Sequence, residues 1–575
     1  MKSKLKKIAK QILPKGLRRR LSVALGRHPH PDWSAILRKD RRRWREARRA
    51  AQNGPMILIA TTVGGNFPAT HVESALAIAL TLRGANVHIL LCDRRLPACQ
   101  QAHIRQFPEP GEFAAHGPAS LCDACYEPAA VMYESLGLKV HVLSDLVQPS
   151  EVAEAASLAA SVPVDEIPDM KMGNVLVGEH ALAGTLRFFA RGDLAGEPTG
   201  EVTLRRYVDA AIVTTHAIRR LIEREHFDAA CFHHGIYVPQ GLIGEVARER
   251  GVRVVNWNPA YRKQCFIFSH GDTYHHTLLD EPTENWTGLD LSSEMSDQIG
   301  DYLVSRWSGS RDWIWFHEKP QNELDRIAGE TGIDFSKPVI GLLTNVVWDA
   351  QLHYRANAFP NMLEWIFESI RYFAQRPDLQ LAIRVHPAEI RGTIPSRQRV
   401  VDEIAAEFPR LPPNVFVIPP ESHVSTYALM AQCDSAVIYG TKTGVELTSM
   451  GIPVIVAGEA WIRNKGLTTD VTSRDQYRET LSRLPFGTRL DERTVEQARK
   501  YAYHFFFRRM IPISFMEPTG EWPPYRAAIE SLDQLERGSD PGLDVICEGI
   551  LTGREFIFPA EILGVSGSTV TPPHR

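Results

Sequence analysis

The stretch Met56-Ile57-Leu58-Ile59-Ala60-Thr61-Thr62 decides the fold class, because it leads through Gly64-Gly65 into an apolar-periodic run from His71 to Arg83, the turn Gly84-Ala85-Asn86, and Val87-His88-Ile89-Leu90-Leu91. Strand, loop, helix and strand occupy about forty residues, the length of a right-handed crossover between parallel neighbours. The strands are unbroken apolar runs, as strands covered on both faces must be. The expected result is a parallel sheet flanked by helices.

The same grammar returns at Asp228 to Phe232, in a helix over Leu242 to Arg250, and at Gly251 to Val255. A polar stretch from Glu281 to Lys337, carrying the Trp307 to Trp315 aromatic cluster, separates it from a second set. That set comprises strands at Pro338–Leu343, Leu379–Val385, Val415–Ile418, Ser435–Tyr439 and Pro453–Ala457, with a helix over Met362–Ala374. The pattern predicts an α/β fold of two Rossmann-like parallel-sheet domains facing a cleft, where sheets of this kind bind ligands at their carboxyl edges. The expected divisions are a basic helical arm (1–50), a first domain with a cysteine-containing insertion (51–310), a second domain (311–500), and helices crossing back with a frayed tail (501–575).

Charge is balanced overall, 65 basic against 68 acidic side chains, and 44% of the 575 residues are hydrophobic, which excludes disorder for most of the chain. The balance hides an asymmetry. Met1 to Pro31 holds ten lysines and arginines and no acid, with Leu5, Ile8, Ala9, Ile12 and Leu13 at helical spacing. This segment is expected to be either a short amphipathic helix on an anionic membrane surface or a solvated basic arm. Nucleic acid is disfavoured as a partner because no aromatic platform accompanies the charge. No apolar run approaches the ~20 residues that cross a bilayer, and no secretory leader is recognisable. The expected location is cytoplasmic, peripheral at the inner face of the plasma membrane under the first reading of the arm and free of it under the second.

Two segments of the second set carry chemistry. Tyr439-Gly440-Thr441-Lys442-Thr443-Gly444-Val445-Glu446 follows a strand and opens a helix. Small residues admit backbone amides to an anion, Thr441 and Thr443 add hydroxyls, and Glu446 one turn on suits a sugar hydroxyl. The same residues also suit a plain tight turn with capping threonines. In Ile383-Arg384-Val385-His386-Pro387 a strand runs into a histidine that Pro387 aims at the cleft. Lys442, Arg384, Arg463 and Lys465 are the cations nearest such a phosphate site. No Asp-x-Asp pair ends a strand, which favours a metal-independent site.

These residues, with Gly451-Ile452-Pro453-Val454-Ile455 and the stretch Gly458 to Thr468, resemble the capsule polysaccharide biosynthesis proteins related to bacterial Kdo transferases. The resemblance covers residues 338 to 480. It implies a two-domain GT-B glycosyltransferase architecture and a nucleotide-sugar donor, commonly a CMP- or UDP-sugar, near His386, Thr441, Thr443 and Glu446. It implies nothing about the acceptor or the catalytic base.

For the base, the carboxyl edge of the first sheet offers His234 and His233, then His71 beside the Gly64-Gly65-Asn66 loop. Trp257, at the end of the next strand, either stacks on a sugar or fills the core. Cys92, Cys99, Cys122 and Cys125 fall in one insertion and are candidate ligands of a structural zinc, with plain thiols as the alternative. No cofactor is expected to be required for catalysis. The expected function is sugar transfer from a nucleotide-sugar donor to a surface polysaccharide or lipid-linked glycan. The alternatives are a nucleotide-sugar epimerase of the same fold and a non-catalytic glycan-binding scaffold of a capsule assembly complex.

Overall fold

The computed structural model describes residues 29–308, 311–313, 320–350, 357–520 and 522–563. The amphipathic part of the basic arm, part of the Trp307 to Trp315 cluster and the end from Gly564 lie outside the described residues. Among the described residues no helix is long and apolar enough to cross a membrane.

The first sheet holds β1 (Met56–Thr62), β2 (Asn86–Leu91), β3 (Lys139–Val142), β4 (Ala229–His233), β5 (Arg253–Pro259) and β6 (Cys265–His270). The second holds β7 (Val339–Leu343), β8 (Gln380–Arg384), β9 (Val415–Ile418), β10 (Ser435–Ile438), β11 (Val454–Val456) and β12 (Thr469–Asp470), and β13 (Ile511–Pro512) returns to the first sheet. The orders are β13-β6-β5-β4-β1-β2-β3 and β12-β11-β10-β7-β8-β9. All pairs in the second sheet are parallel, and so are those from β5 to β3 in the first. At one edge β6 alone is reversed, pairing antiparallel with both β5 and β13.

The central strands are apolar because both faces are covered. Ile57, Leu58, Ile59 and Ala60 are all fully buried, as are Leu381, Ala382 and Ile383 of β8, each large side chain contributing roughly 1.5–3 kcal/mol. The helix Phe67–Leu82 fills the groove over β1 and β2 and buries 14 of its 16 residues, so it shows almost no polar face. Asn66 caps it by accepting from the Ala69 amide, and Pro68 sits in the first turn.

One apolar core underlies both sheets on one side, from Ile57 and Trp257 through Trp461 to Phe505, whereas the opposite faces carry separate cores. The helix Glu492–Tyr503 continues as a π turn over His504–Arg508, which delivers β13 to β6. The helix Pro541–Thr552 then lies against β4 and the Phe67–Leu82 helix.

His71 belongs to this packing. Its Nε2 donates to the Pro29 carbonyl at 2.7 Å and its Nδ1 accepts from the Ala527 amide at 3.1 Å, so the ring staples both ends of the chain onto the helix. With both nitrogens engaged and burial pulling its pKa down to about 4, His71 is withdrawn as a catalytic base. Trp257 is also core, fully buried and donating from Nε1 to Glu73.

Candidate active site

In the second sheet the strand order β10-β7-β8 sets three carboxyl ends side by side. The dipeptide after β7 joins them. Thr344 accepts the His386 amide on its hydroxyl at 3.0 Å, and Asn345 donates from Nδ2 to the Gly440 carbonyl at 3.0 Å. The His-Pro corner and the threonine turn therefore sit on either flank of one short loop. The His386 Nδ1 accepts from the Ala388 amide at 3.1 Å, which orients the ring. Gly440 is exposed, and Thr441 and Thr443 are half-buried with their hydroxyls 3.1 Å apart.

The cations turn away from this corner. Arg384 is buried and donates to the carbonyls of Val385, Pro419 and Ser422; burial lowers its pKa to about 10. Arg463 donates to Val456, Gly458 and Val471, and Lys465 to Leu279. Lys442 packs 4.6 Å over the Tyr261 ring and pairs with Glu446 at 3.0 Å. Glu446 itself is fully buried and also meets Arg306 and Tyr427. The expectation that Arg384, Lys442 and Glu446 bind the donor is corrected: their charges and hydrogen-bonding atoms are consumed inside the fold, and none of Lys442, Arg384, Arg463 or Lys465 is turned to a phosphate. Hydroxyls, backbone amides and the His386 ring remain.

Opposite lies the carboxyl edge of the first sheet. His233 and His234 end β4, His234 with φ +70, and both are half-buried. The His233 amide donates to Glu73, and its Nδ1 receives the Asn66 amide nitrogen at 3.4 Å. The His234 Nδ1 is buried with no hydrogen-bond partner, and its ring lies 4.8 Å from Tyr237 and 6.1 Å from His275. Burial pulls His233 down to about 3, and burial, with His233 and His275 beside it, holds His234 well below the ordinary imidazole value. Both rings are neutral in the physiological range.

The two edges meet at Tyr237, which donates to Asp349 Oδ1 at 2.9 Å and accepts the Ala350 amide at 3.0 Å. Asp349 stands in the loop after β7. Asp349 is solvent-exposed as a residue, and the protein around its carboxyl raises its pKa by desolvation. Arg187 stacks 5.1 Å over the Tyr237 ring and places a positive charge near both histidines and Asp349. From the second half Trp461 reaches His275 at 5.9 Å. Sequence reading missed Arg187, Tyr237 and Asp349. The only available signal was that Tyr237 and Asp349 fall within a few residues of strand ends, and Arg187, on the helix Val177–Phe189, had none.

Beneath His233 lies Glu73, fully buried, accepting from the His233 amide and Trp257 Nε1 at 3.1 Å each. Burial lifts it from 4.5 to about 7. Between those values the folded chain holds a proton that the unfolded chain has lost. The group's favourable contribution is thus complete below about 4.5 and is lost as pH rises through about 7. Glu73→Gln keeps an acceptor for both donors and removes the titration. Between about pH 5 and about pH 8 the variant should gain on the native chain by roughly 1–3 kcal/mol in denaturant unfolding; parallel pH curves would reject the assignment.

Among the described residues, one group of histidine and carboxylate atoms lies within 4.8 Å in a metal-like set, His88, His141 and Glu225. Its imidazoles bond each other at 3.1 Å and Lys139 takes the carboxylate at 2.7 Å, so the set satisfies itself. The four insertion cysteines are not in such a set: no three of their sulfurs lie within 4.8 Å. Cys122 and Cys125 sit on the helix Ala119–Leu136 instead of in a loop knuckle.

Residues 337–496 match the family model described as capsule polysaccharide biosynthesis protein, and this bears out the resemblance over the segment that carries the His-Pro corner and the threonine turn. No curated protein matches the chain. Similar solved structures include two from Thermosulfurimonas dismutans KpsC. Its β-Kdo 2,4-transferase is 14% identical, covering 48% of this chain and 80% of that one with a TM-score of 0.32. Its β-Kdo 2,7-transferase is 12% identical, covering 56% and 88% with a TM-score of 0.29. The UDP-GlcNAc 2-epimerase of Neisseria meningitidis is 9% identical, covering 79% and 94% with a TM-score of 0.22.

Proposed function

We propose that this chain is a glycosyltransferase of capsule polysaccharide assembly, moving a sugar from a nucleotide donor to a glycan acceptor. The observation that carries the reading is the shared anchoring of His386 and the Gly440 turn on Thr344-Asn345, within the segment that matches the capsule family. The donor diphosphate or monophosphate lies against the Thr441 and Thr443 hydroxyls and the amides of the turn. The exposed Gly440 leaves room for it. With Arg384, Lys442, Arg463 and Lys465 engaged inside the fold, a His386 Nε2 proton supplies the compensating hydrogen bond as the nucleotide departs. The acceptor enters from the first sheet, past Arg187, His233 and His234, and Asp349 takes its hydroxyl proton. Asp349 suits that role better than the histidines do. A base works best with a pKa near working pH; burial moves the carboxylate toward that range and the two imidazoles away from it.

The test is incubation with labelled CMP- and UDP-sugars and capsule oligosaccharides. Transfer is expected, and His386→Ala should cut turnover by at least about tenfold with an unchanged melting curve, as loss of one hydrogen bond to developing charge does. Native kinetics in the variant would remove His386 from the site, and an isomerised donor without transfer would replace the reading by epimerisation.

A further inference from the structure

The loop after β2 forms one wall of a cavity of about 240 Å³ that none of Arg187, His233, His234, Tyr237 and Asp349 lines. The helix Gly200–Glu225 forms another wall, and the junction between the helices Pro110–His116 and Ala119–Leu136 closes one end. A Cβ on Gly117 would come within 2.6 Å of the Pro97 carbonyl, so this junction rests directly on the loop.

Charged groups inside the cavity are left unmatched. The Arg95 Nε and the Asp209 Oδ1 are buried, and neither has a hydrogen-bond partner. Asp209 feels the charges of Arg95 and Arg206, yet burial lifts its pKa from 3.8 to about 6 in spite of them, so the carboxyl is desolvated without being paired. Arg206 is held in place by the fold. Its Nε donates to the Ala114 carbonyl at 2.7 Å and its Nη2 to the Ala115 carbonyl at 2.5 Å, and neither bond uses Nη1. Arg94, exposed on the loop, is matched by Asp123 at 2.7 Å. Arg95 and Arg206 therefore stand against Asp209 alone, an excess of one positive charge, with His116 exposed at the rim. Buried polar atoms ordinarily find partners. The partner missing here is an anion for the arginines that also brings a donor for the carboxylate.

We propose that this cavity binds a sugar anion, one ring bearing a carboxylate or a phosphate, with the anionic group between Arg95 and Arg206 and a ring hydroxyl donating to Asp209. A bare anion would leave Asp209 unmatched beside it, and a neutral sugar would leave the arginines unmatched. Guanidinium forks suit the paired oxygens of either anion. The volume lies just below the ~300–1,000 Å³ of pockets that hold drug-sized ligands, which limits the occupant to about one ring. Two sources offer this chemistry, a charged ring within a glycan and a free sugar phosphate. The proposal concerns binding alone and does not rest on the sugar-transfer reading.

The test is titration calorimetry of the full-length chain with glucuronate, glucose 6-phosphate, glucose and acetate. Saturable binding of at least one of the two sugar anions is expected, and none of glucose. Tighter binding of glucuronate would assign the site to a carboxylated glycan ring, and tighter binding of glucose 6-phosphate to a free sugar phosphate. Arg95→Gln should weaken the favoured anion by at least about tenfold, the usual worth of a charge-assisted hydrogen bond. Its melting curve should match the native one, since the Arg95 Nε has no partner in the fold to lose. Asp209→Ala should bring affinity for the sugar anion down toward that for acetate. Failure of both sugar anions to bind the native chain, binding of acetate as tight as theirs, or native affinity in Arg95→Gln would each overturn the proposal.

Discussion

Replacing Asp349 by Asn is expected to lower the turnover number by about 10²–10⁴, the usual worth of a positioned general base, while KM for the nucleotide sugar changes little. Asn retains an oxygen that accepts from Tyr237, so the bond joining the two sheets at 2.9 Å can persist and the loop after β7 keeps its place. What disappears is the capacity to take a proton. Because burial raises the Asp349 pKa, native activity should fall as pH drops toward that raised value, and the residual activity of the variant should lose this acid limb. Tyr237→Phe makes the complementary measurement. It removes the donor that steadies the carboxylate, so its pKa should rise further and the acid limb should move to higher pH. Activity of Asp349→Asn within about threefold of native would sink the assignment and return the search to His234, whose buried Nδ1 has no hydrogen-bond partner.

Parallel strands announce themselves, and that is why the architecture was legible. β1, β7 and β8 are buried on both faces, so each is a short unbroken apolar run with no competing period. The His-Pro corner and the threonine turn were legible for a related reason, since their chemistry is written in consecutive residues directly after a strand. Direction was not. Lys442 and Glu446 stand four apart, a spacing that pairs side chains on a helix surface as readily as it offers them to a ligand, and the choice is made by Arg306 and Asp312, more than a hundred residues away. His71 shows the same limit, because Pro29 and Ala527 claim its two nitrogens from opposite ends of the chain. The crevice residues Arg187, Tyr237 and Asp349 come from a helix and two loops with no shared pattern. Only tertiary structure collects them.

Arg306→Met is expected to cost about 3–5 kcal/mol of folding stability, the range for removing one partner from a buried ion pair. Arg306 binds Glu446 at 2.8 Å from Nε and Asp312 from Nη1. It also donates to the hydroxyls of Tyr427 and Tyr302 at 3.2 and 3.1 Å. Side-chain exposures of 8% for Arg306, 7% for Asp312 and 0% for Glu446 leave water little access. Lys442 completes a set of two cations and two carboxylates, so the native network is neutral and the variant buries one unmatched negative charge. Methionine replaces the aliphatic stem and puts an apolar end toward the Tyr261, Tyr302 and Phe506 rings that now face the guanidinium, which makes lost packing the smaller part of the loss. A second substitution separates charge from volume: adding Asp312→Asn restores neutrality and should recover more than half of the deficit in denaturant unfolding, whereas a pure packing defect would show no recovery. The network also ties the helix Ser293–Ser308 to the helix opened by the threonine turn. Arg306→Met, assayed at a temperature where it stays folded, should therefore raise KM for the donor more than it lowers kcat. A loss confined to kcat would show that the network steadies the fold without setting the turn.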